Sequence, residues 1–194
     1  MVTSGNGFAL SPSLWRTCRA LANRRRLRLF RHVLEHPDST LSQIAAQTGL
    51  TVPVASQYLR ALNARGLLAA RRASRWVHYR VEPDPSVPES AAIASALASH
   101  CRGGRQAAES AFRVLTAFTH PRRVFIVGWL YRTNAAEPAE LASRGGMSRH
   151  ALWRHLTKLE RRGLVTRDGA VCRLTPAPNG LAAALIRIAG SKER

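Results

Sequence analysis

The segment LSQIAAQTGLTVPVASQYLRALNARGLL, residues 41–68, contains the signals of two short helices joined by a tight turn. Thr40, followed three residues later by Gln43, has the pattern of a capping box at the start of the first helix. Gly49 stands where a helix ends on a left-handed residue, and Thr51 is placed to cap the second helix. Two helices joined through such a glycine turn predict a helix-turn-helix.

A helix precedes this segment and a hairpin follows it. Leu27, Phe30 and Val33 recur at helical spacing, and Pro37 ends that pattern. In residues 76–81 polar and apolar side chains alternate, which is typical of a strand. The order of elements is therefore helix, helix, turn, helix and hairpin.

This order occurs twice, because the second half of the chain repeats the first at a period of 97 residues. Residues 20–33 align with residues 117–130, and the register continues without a gap to about residue 70. Beyond that point the hairpin of the first copy is four residues longer than that of the second, which is predicted to turn through Asp168 and Gly169. The positions of the first copy that have a similar residue 97 places later include Ile44, Gly49, Leu50, Thr51, Leu59, Leu62, Gly66, Leu67 and Leu68.

Additional helices flank both copies. Residues 12–22 and 91–101 are helix-forming on either side of the first copy, and residues 106–119 begin the second. We therefore predict a fold that is mainly α with small β-hairpins. We expect two domains, residues 1–101 and residues 102–194, each with its own flanking helices.

The charge of the chain indicates a polyanionic partner. Its 194 residues include 30 Lys and Arg against 11 Asp and Glu, a net charge of +19, and 45% are hydrophobic, as in a globular protein. Both halves are basic: residues 1–97 carry 13 basic and 5 acidic side chains, and residues 98–194 carry 17 and 6. Double-stranded DNA is the partner that this charge favours.

The sequence contains no signal that directs it to a membrane or out of the cell. No apolar run approaches the roughly 20 residues that span a bilayer, and residues 1–26 lack the pattern of a secretory signal. We expect a cytoplasmic protein associated with the nucleoid. Cys18, Cys101 and Cys172 are far apart and odd in number, so we expect reduced thiols that pack in the core, unless folding brings two of them together as a redox switch.

These segments resemble a known family. LANRRRLRLFRHV (21–33), the helix-turn-helix segment and RRASRWVHYRV (71–81) resemble the winged-helix repressors of the bacterial ArsR family, over about residues 11–100. HPRRVFIVGWL (120–130) and MSRHALWRHLTKLERRGLV (147–165) are similar to the same family or to its MarR relative. The resemblance implies two winged helix-turn-helix domains in tandem. It also implies a DNA-binding transcription regulator, expected to act as a repressor, of a family that usually forms homodimers through its first and last helices.

A recognition helix presents the face opposite its core stripe to the major groove. In the first copy Ala55, Leu59 and Leu62 form the core stripe, and the opposite face carries Pro53, Ser56, Gln57 and Arg60, after Thr51 at the start. The side chain of Gln57 can pair with adenine, and that of Arg60 with guanine or phosphate. At the tip of the hairpin, or wing, the residues predicted to contact phosphate are Arg71, Arg72 and Arg75.

The second copy has a different reading face. Trp153 lies on it, beside Thr157, and either stacks on a sugar or packs against the neighbouring domain, which we favour. Because the two faces are unlike, we expect unlike DNA half-sites, or base reading by one copy and backbone contact by the other. The predicted DNA-binding residues of this copy are Ser148, Arg149, His150, Arg154 and Lys158.

The two repeats can pair in two ways. Since each repeat has both of the flanking helices that the family uses to dimerise, we expect a fused dimer, in which the repeats pair about an internal pseudo-twofold axis. The alternative is a homodimer of tandem chains with four winged units.

Neither metal binding nor catalysis is indicated. LSQIAAQTGL, residues 41–50, lacks the Cys-x-Cys pair through which some relatives bind metals, and His32 and His36 are more typical of a helix surface than of a metal site. No nucleophile elbow, Walker loop or zinc-protease motif is present. We therefore expect no enzyme, no metal and no cofactor. The alternative function is a non-catalytic protein-interaction or architectural role.

Overall fold

The computed structural model describes residues 12–191, so residues 1–11 and 192–194 of the two predicted domains lie outside the described residues. The prediction about a secretory signal concerns residues 1–26, of which the first eleven lie outside the described residues too. The elements of the first repeat are α1 (Pro12–Leu21), α2 (Arg24–Glu35), β1 (Ser39–Thr40), α3 (Leu41–Thr48), α4 (Val52–Asn63), β2 (Ala69–Ala73), β3 (Trp76–Arg80) and α5 (Ser90–Cys101). Those of the second are α6 (Gly104–Ala117), α7 (Pro121–Thr133), β4 (Ala135–Ala136), α8 (Pro138–Arg144), α9 (Arg149–Glu160), β5 (Val165–Asp168), β6 (Val171–Leu174) and α10 (Gly180–Gly190). The predicted fold class, mainly α with small β-hairpins in two winged helix-turn-helix units, is confirmed.

The first helix-turn-helix forms through the predicted local signals. The backbone N–H of Thr40 donates to Gln43 Oε1 at 2.8 Å, and the Gln43 N–H donates back to Thr40 Oγ1 at 3.4 Å, which completes the capping box. Gly49 ends α3 in the left-handed region, with φ of 65°. Thr51 occupies the N-cap position of α4, but its side chain makes no capping hydrogen bond, so that part of the expectation is wrong. A proline at the start of α4 removes one of the N–H groups that a cap would satisfy.

Each wing is a small antiparallel sheet that includes a short strand before the helix-turn-helix. The strand orders are β1-β3-β2 and β4-β6-β5. In the first wing Ala73 pairs with Trp76, which leaves a two-residue turn that begins at Ser74 with φ of 55°. In the second wing Asp168 still pairs with Val171, so the turn lies one residue later than predicted and consists of residues 169–170.

The flanking helices of the two repeats pack against one another. Helix α1 contacts α6 and α7, α2 contacts α6, and α5 contacts α10. The buried residues of both repeats therefore form one continuous hydrophobic cluster. An ion pair crosses the same junction, with Arg24 Nη2 2.6 Å from Glu109 Oε1. Within residues 12–191 no helix is long and apolar enough to cross a membrane.

The cysteines belong to this core. Cys18, Cys101 and Cys172 are buried and unpaired. Burial raises the pKa of the Cys18 and Cys172 thiols, and it raises the pKa of Cys101 to about 11. The three thiols therefore stay protonated at neutral pH, as packing residues do.

The two repeats are not packed identically. Helix α10 lies along α7 so closely that a Cβ on Gly128 would collide with the backbone oxygen of Ala189. The counterpart of Gly128 in the first repeat is Arg31, and the counterpart of the buried Phe125 is Arg28. Because arginine replaces small and apolar residues there, α5 contacts α2 much less than α10 contacts α7.

Candidate nucleic-acid interface

Helix α4 is anchored by one face and open on the other. Ala55, Leu59 and Leu62 are fully buried in the core, where α4 packs against α2 and α3. On the opposite face Thr51, Pro53, Gln57 and Arg60 are exposed and Ser56 is half-buried, so the structure brings the predicted side chains together on one solvent-facing surface.

Helix α9 has the same arrangement with a more cationic surface. Leu152, Leu156 and Leu159 are buried. Ser148 caps the helix, since its Oγ accepts a hydrogen bond from the N–H of Ala151 at 3.2 Å. The exposed face contains all five of the predicted residues, Ser148, Arg149, His150, Arg154 and Lys158, with Thr157 half-buried among them.

Trp153 contacts its own wing rather than the neighbouring domain. Its side chain is 38% exposed, and the guanidinium carbon of Arg167 in β5 lies 4.5 Å from its ring centre. Arg167 Nη2 also donates to Glu160 Oε2 at 2.6 Å, at the far end of the same helix. The expectation of packing between domains is therefore wrong, because the adjacent hairpin supplies a cation that stacks on the ring.

The tip of the first wing is basic and open. Arg71, Arg72 and Arg75 are all exposed, as predicted. Arg71 is held by a carboxylate, with its Nη2 2.9 Å from Glu82 Oε2, whereas among the described residues Arg72 and Arg75 have no ion-pair partner. Among the described residues, no carboxylate therefore neutralises Arg72 or Arg75 at the tip of the first wing.

The base of the same wing is fixed by Asp38. Arg80 Nη2 lies 2.5 Å from Asp38 Oδ2, and the His78 ring nitrogen Nδ1 is 2.7 Å from the backbone oxygen of Asp38. The hydrogen bond from Arg80 holds the pKa of the Asp38 carboxyl below its usual range. The wing is therefore tied down at its base and free at its tip.

Sequence reasoning missed several features of this surface. Val52 at the start of α4 and Trp76 at the tip of the first wing are 45% and 46% exposed, and the Arg75 guanidinium carbon lies 5.2 Å from the Trp76 ring centre. Arg122 Nη2 lies 3.3 Å from the oxygen of Gly146, in the turn before α9. The position of Val52 next to Pro53, and that of Trp76 next to Arg75, are sequence signals that could have identified these two exposed side chains.

A histidine pair supports α9 from inside. The ring centres of His120, the N-cap of α7, and His155 on α9 are 4.5 Å apart. Burial, followed by the nearby His120, lowers the pKa of His155 to about 4. In the first repeat the same two positions are Asn23 and Tyr58, so α9 rests on a histidine pair and α4 does not.

Comparisons with known proteins agree with this geometry. Residues 24–72 match the family model of the IclR helix-turn-helix domain, and residues 120–168 match that of the MarR family. No curated protein matched the chain, and no solved structure did. The chain therefore carries two helix-turn-helix segments of the kind found in DNA-binding transcription regulators. The MarR resemblance is supported for the second repeat, and the ArsR resemblance stays a prediction.

Proposed function

We propose that the protein is a repressor that binds double-stranded DNA by sequence, with α4 and α9 in the major groove and the first wing on the phosphate backbone. One observation carries the proposal. On both helices the leucine stripe is buried while the opposite face, with its polar and cationic side chains, is open to solvent. Such a rod fits the major groove, about 12 Å wide, and the net charge of +19 supplies attraction to phosphate.

We also propose that one chain acts as a fused dimer of two domains that divide near residues 101 and 102. The contacts between the repeats support this pairing. Helix α1 contacts its counterpart α6, and α5 contacts its counterpart α10. The contact of α2 with α6 has a matching contact of α7 with α1. Each contact between the units therefore recurs when every helix is replaced by its counterpart, as expected for two units that pair about a twofold axis. In such a pair, recognition helices lie about 34 Å apart, one turn of duplex.

The two faces favour unlike half-sites. The first face offers Gln57, an amide suited to adenine, with the exposed Val52 near its start for a thymine methyl group. The second offers Arg149 and Arg154, which suit guanine or phosphate. Since both faces belong to one chain, we propose an operator that is not a palindrome, which the protein binds in one orientation.

Selection of bound genomic fragments, followed by electrophoretic titration at two salt concentrations, tests this function. We expect preference for one class of fragment and affinity that falls steeply with salt. Salt-sensitive binding without any choice among fragments would support an architectural role instead. No binding to any fragment would leave a protein-interaction role.

A further inference from the structure

Trp76 lies at the tip of the first wing with its side chain exposed to solvent. It is the first residue of β3, directly after the two-residue turn, and 46% of it is exposed. Val77 and Tyr79 of the same strand pack against the core, whereas Trp76 belongs to the opposite face of the sheet. The residue directly opposite Trp76 on β2 is Ala73, whose methyl group is too small to cover an indole ring. The wing therefore holds a large apolar side chain in water at its outer end.

The groups around this ring are cationic. The guanidinium carbon of Arg75 lies 5.2 Å from the ring centre, within the range of a cation–π contact. Arg72 is exposed on the neighbouring strand, and within residues 12–191 neither arginine makes an ion pair. An aromatic ring between uncompensated arginines suits nucleic acid, in which stacked bases lie between two rows of phosphates.

The other end of the wing is fixed to the body of the first repeat. The N–H of Asp38 donates to the backbone oxygen of Tyr79 at 2.9 Å, next to the pairing of β1 with β3. Tyr79 itself is buried in the core, and Arg80 forms its ion pair with Asp38 at the same place. The direction of the wing relative to α4 is therefore set before DNA is bound, which lowers the entropy lost on binding.

The length of the wing matches the distance between neighbouring grooves of DNA. Strand β3 has five residues, which extend about 14–17 Å at the rise of a strand. Adjacent major and minor grooves are half a turn of duplex apart, roughly 17 Å. With α4 in the major groove, the wing is long enough for its tip to reach the next minor groove. That groove is about 6 Å wide, which admits a planar ring edge-on but not a helix.

The second wing has no comparable residue. Its strands and turn, residues 165–174, contain no aromatic side chain, and Asp168 near its tip is acidic. Trp153, the exposed tryptophan of the second repeat, lies on α9 under Arg167 of its own wing. The two wings therefore cannot act alike on a duplex.

We propose that Trp76 enters the minor groove beside the half-site read by α4 and wedges between two stacked base pairs, so that the duplex kinks there and not at the other half-site. Arg72 and Arg75 bind the phosphates that flank this step. Apolar wedges in the minor groove kink duplexes by about 20–90°. Because unstacking costs least at pyrimidine–purine steps such as TA and CA, the wedge selects sequence at a step that no hydrogen bond reads. This inference rests on the proposed DNA-binding function.

Fluorescence of 2-aminopurine, which rises when this base analogue is unstacked, tests the wedge in the full chain bound to a duplex from the selected genomic fragments. The analogue replaces, one at a time, the adenines that flank each half-site, and the half-site of α4 is the one whose selection Gln57→Ala relaxes. We expect fluorescence to rise at least two-fold at one step beside that half-site and at none beside the other. Energy transfer between dyes on the duplex ends should show a bend of at least about 20°.

The outcomes separate the wedge from DNA binding itself. Sequence-selective binding with no rise in fluorescence at any step would overturn the wedge and leave the DNA-binding proposal standing. Absence of sequence-selective binding to any fragment would overturn both.

Three single variants separate the ring from the charge beside it. Trp76→Thr should abolish the fluorescence rise and the bend and lower affinity roughly ten-fold, while Trp76→Phe, still an apolar wedge, should keep most of the bend. Arg75→Gln should keep the fluorescence rise and reduce the slope of affinity against salt by about one. Circular dichroism checks that the variants fold, which we expect because Trp76 is not packed against the core. A fluorescence rise that persists in Trp76→Thr would assign the unstacking to another side chain and overturn the proposal.

Discussion

Arg167 lies over Trp153, with its guanidinium carbon 4.5 Å from the ring centre, and thereby joins the second wing to α9. The same guanidinium group pairs with Glu160, so one wing side chain contacts α9 at two places. In the first repeat the three corresponding positions are Ser56, Ala70 and Asn63, which cannot form this cluster. The second wing is therefore held against its helix, and the first wing extends to a free basic tip.

Replacement of Arg167 by alanine should loosen the second wing. We expect faster amide hydrogen exchange in β5 and β6 and a loss of about 1 kcal/mol of unfolding free energy, the scale of one cation–π contact with a partly exposed ion pair. Arg173→Ala, at an exposed position of the same sheet, is the matched control. Unchanged exchange in β5 and β6 of the Arg167 variant would show that the cluster does not hold the wing.

Stability should depend on pH through the histidine pair. Because the folded protein lowers the pKa of His155 to about 4, against about 6.5 for a free imidazole, the unfolded chain binds more protons between these values. Stability should therefore be fully present above pH 6.5 and fall as the pH drops toward 4. Thermal unfolding midpoints measured from pH 7.5 to 4.5 check this.

The charged groups around the pair explain why protonation is unfavourable there. His155 faces His120, Arg122, Arg123 and Arg154, and His120 is also near Arg19. The variant His155→Tyr, which introduces the residue of the first repeat, should flatten the pH dependence. An equally steep loss of stability in that variant would assign the effect to other groups.

The turn of the first wing holds a residue in an unfavourable backbone conformation. Ser74 has φ of 55°, a region that glycine adopts at lower cost. Ser74→Gly should raise the free energy of unfolding by about 0.5–1 kcal/mol, measured by urea denaturation. Ser86→Gly, at an exposed position whose φ is not positive, is the control and should not stabilise. A destabilised Ser74→Gly variant would argue against this turn.

The two proposed recognition helices, α4 and α9, should differ in the bases they select. Gln57→Ala should relax selection in one half-site and Arg154→Ala in the other, each by about 1–3 kcal/mol of discrimination. Selection from a randomised operator library measures this for each variant. Arg187→Ala, exposed on α10, should leave the selected sequence unchanged. Relaxation of the same half-site by both substitutions would contradict the assignment of one helix to each half-site.

Local signals made the fold predictable, whereas contacts between distant residues were not. The Thr40–Gln43 capping box and the left-handed Gly49 depend on neighbours within one turn of helix, and both occur where the sequence places them. The partner of Trp153 is 14 positions away, beyond the turn that joins α9 to β5, and no periodic pattern identifies it. Likewise the ion pair that occupies Arg71 depends on the strand register, which sets its distance from Glu82.

The exposed faces of α4 and α9 were predictable for the same reason. Burial of every third or fourth residue fixes which side of α4 and α9 is exposed. The cleft between α6, the end of α9 and the loop before α10 was not predictable, because it depends on how three separate segments pack.

The stoichiometry of the complex with DNA tests the central claim most directly. Sedimentation of the chain with a selected operator fragment, combined with footprinting, gives the number of chains bound and the grooves protected. We predict a free protein of 21.3 kDa, one chain per operator and protection of two successive major grooves. A free mass of about 43 kDa, twice that of the chain, or protection of a single groove by each chain, would contradict the account.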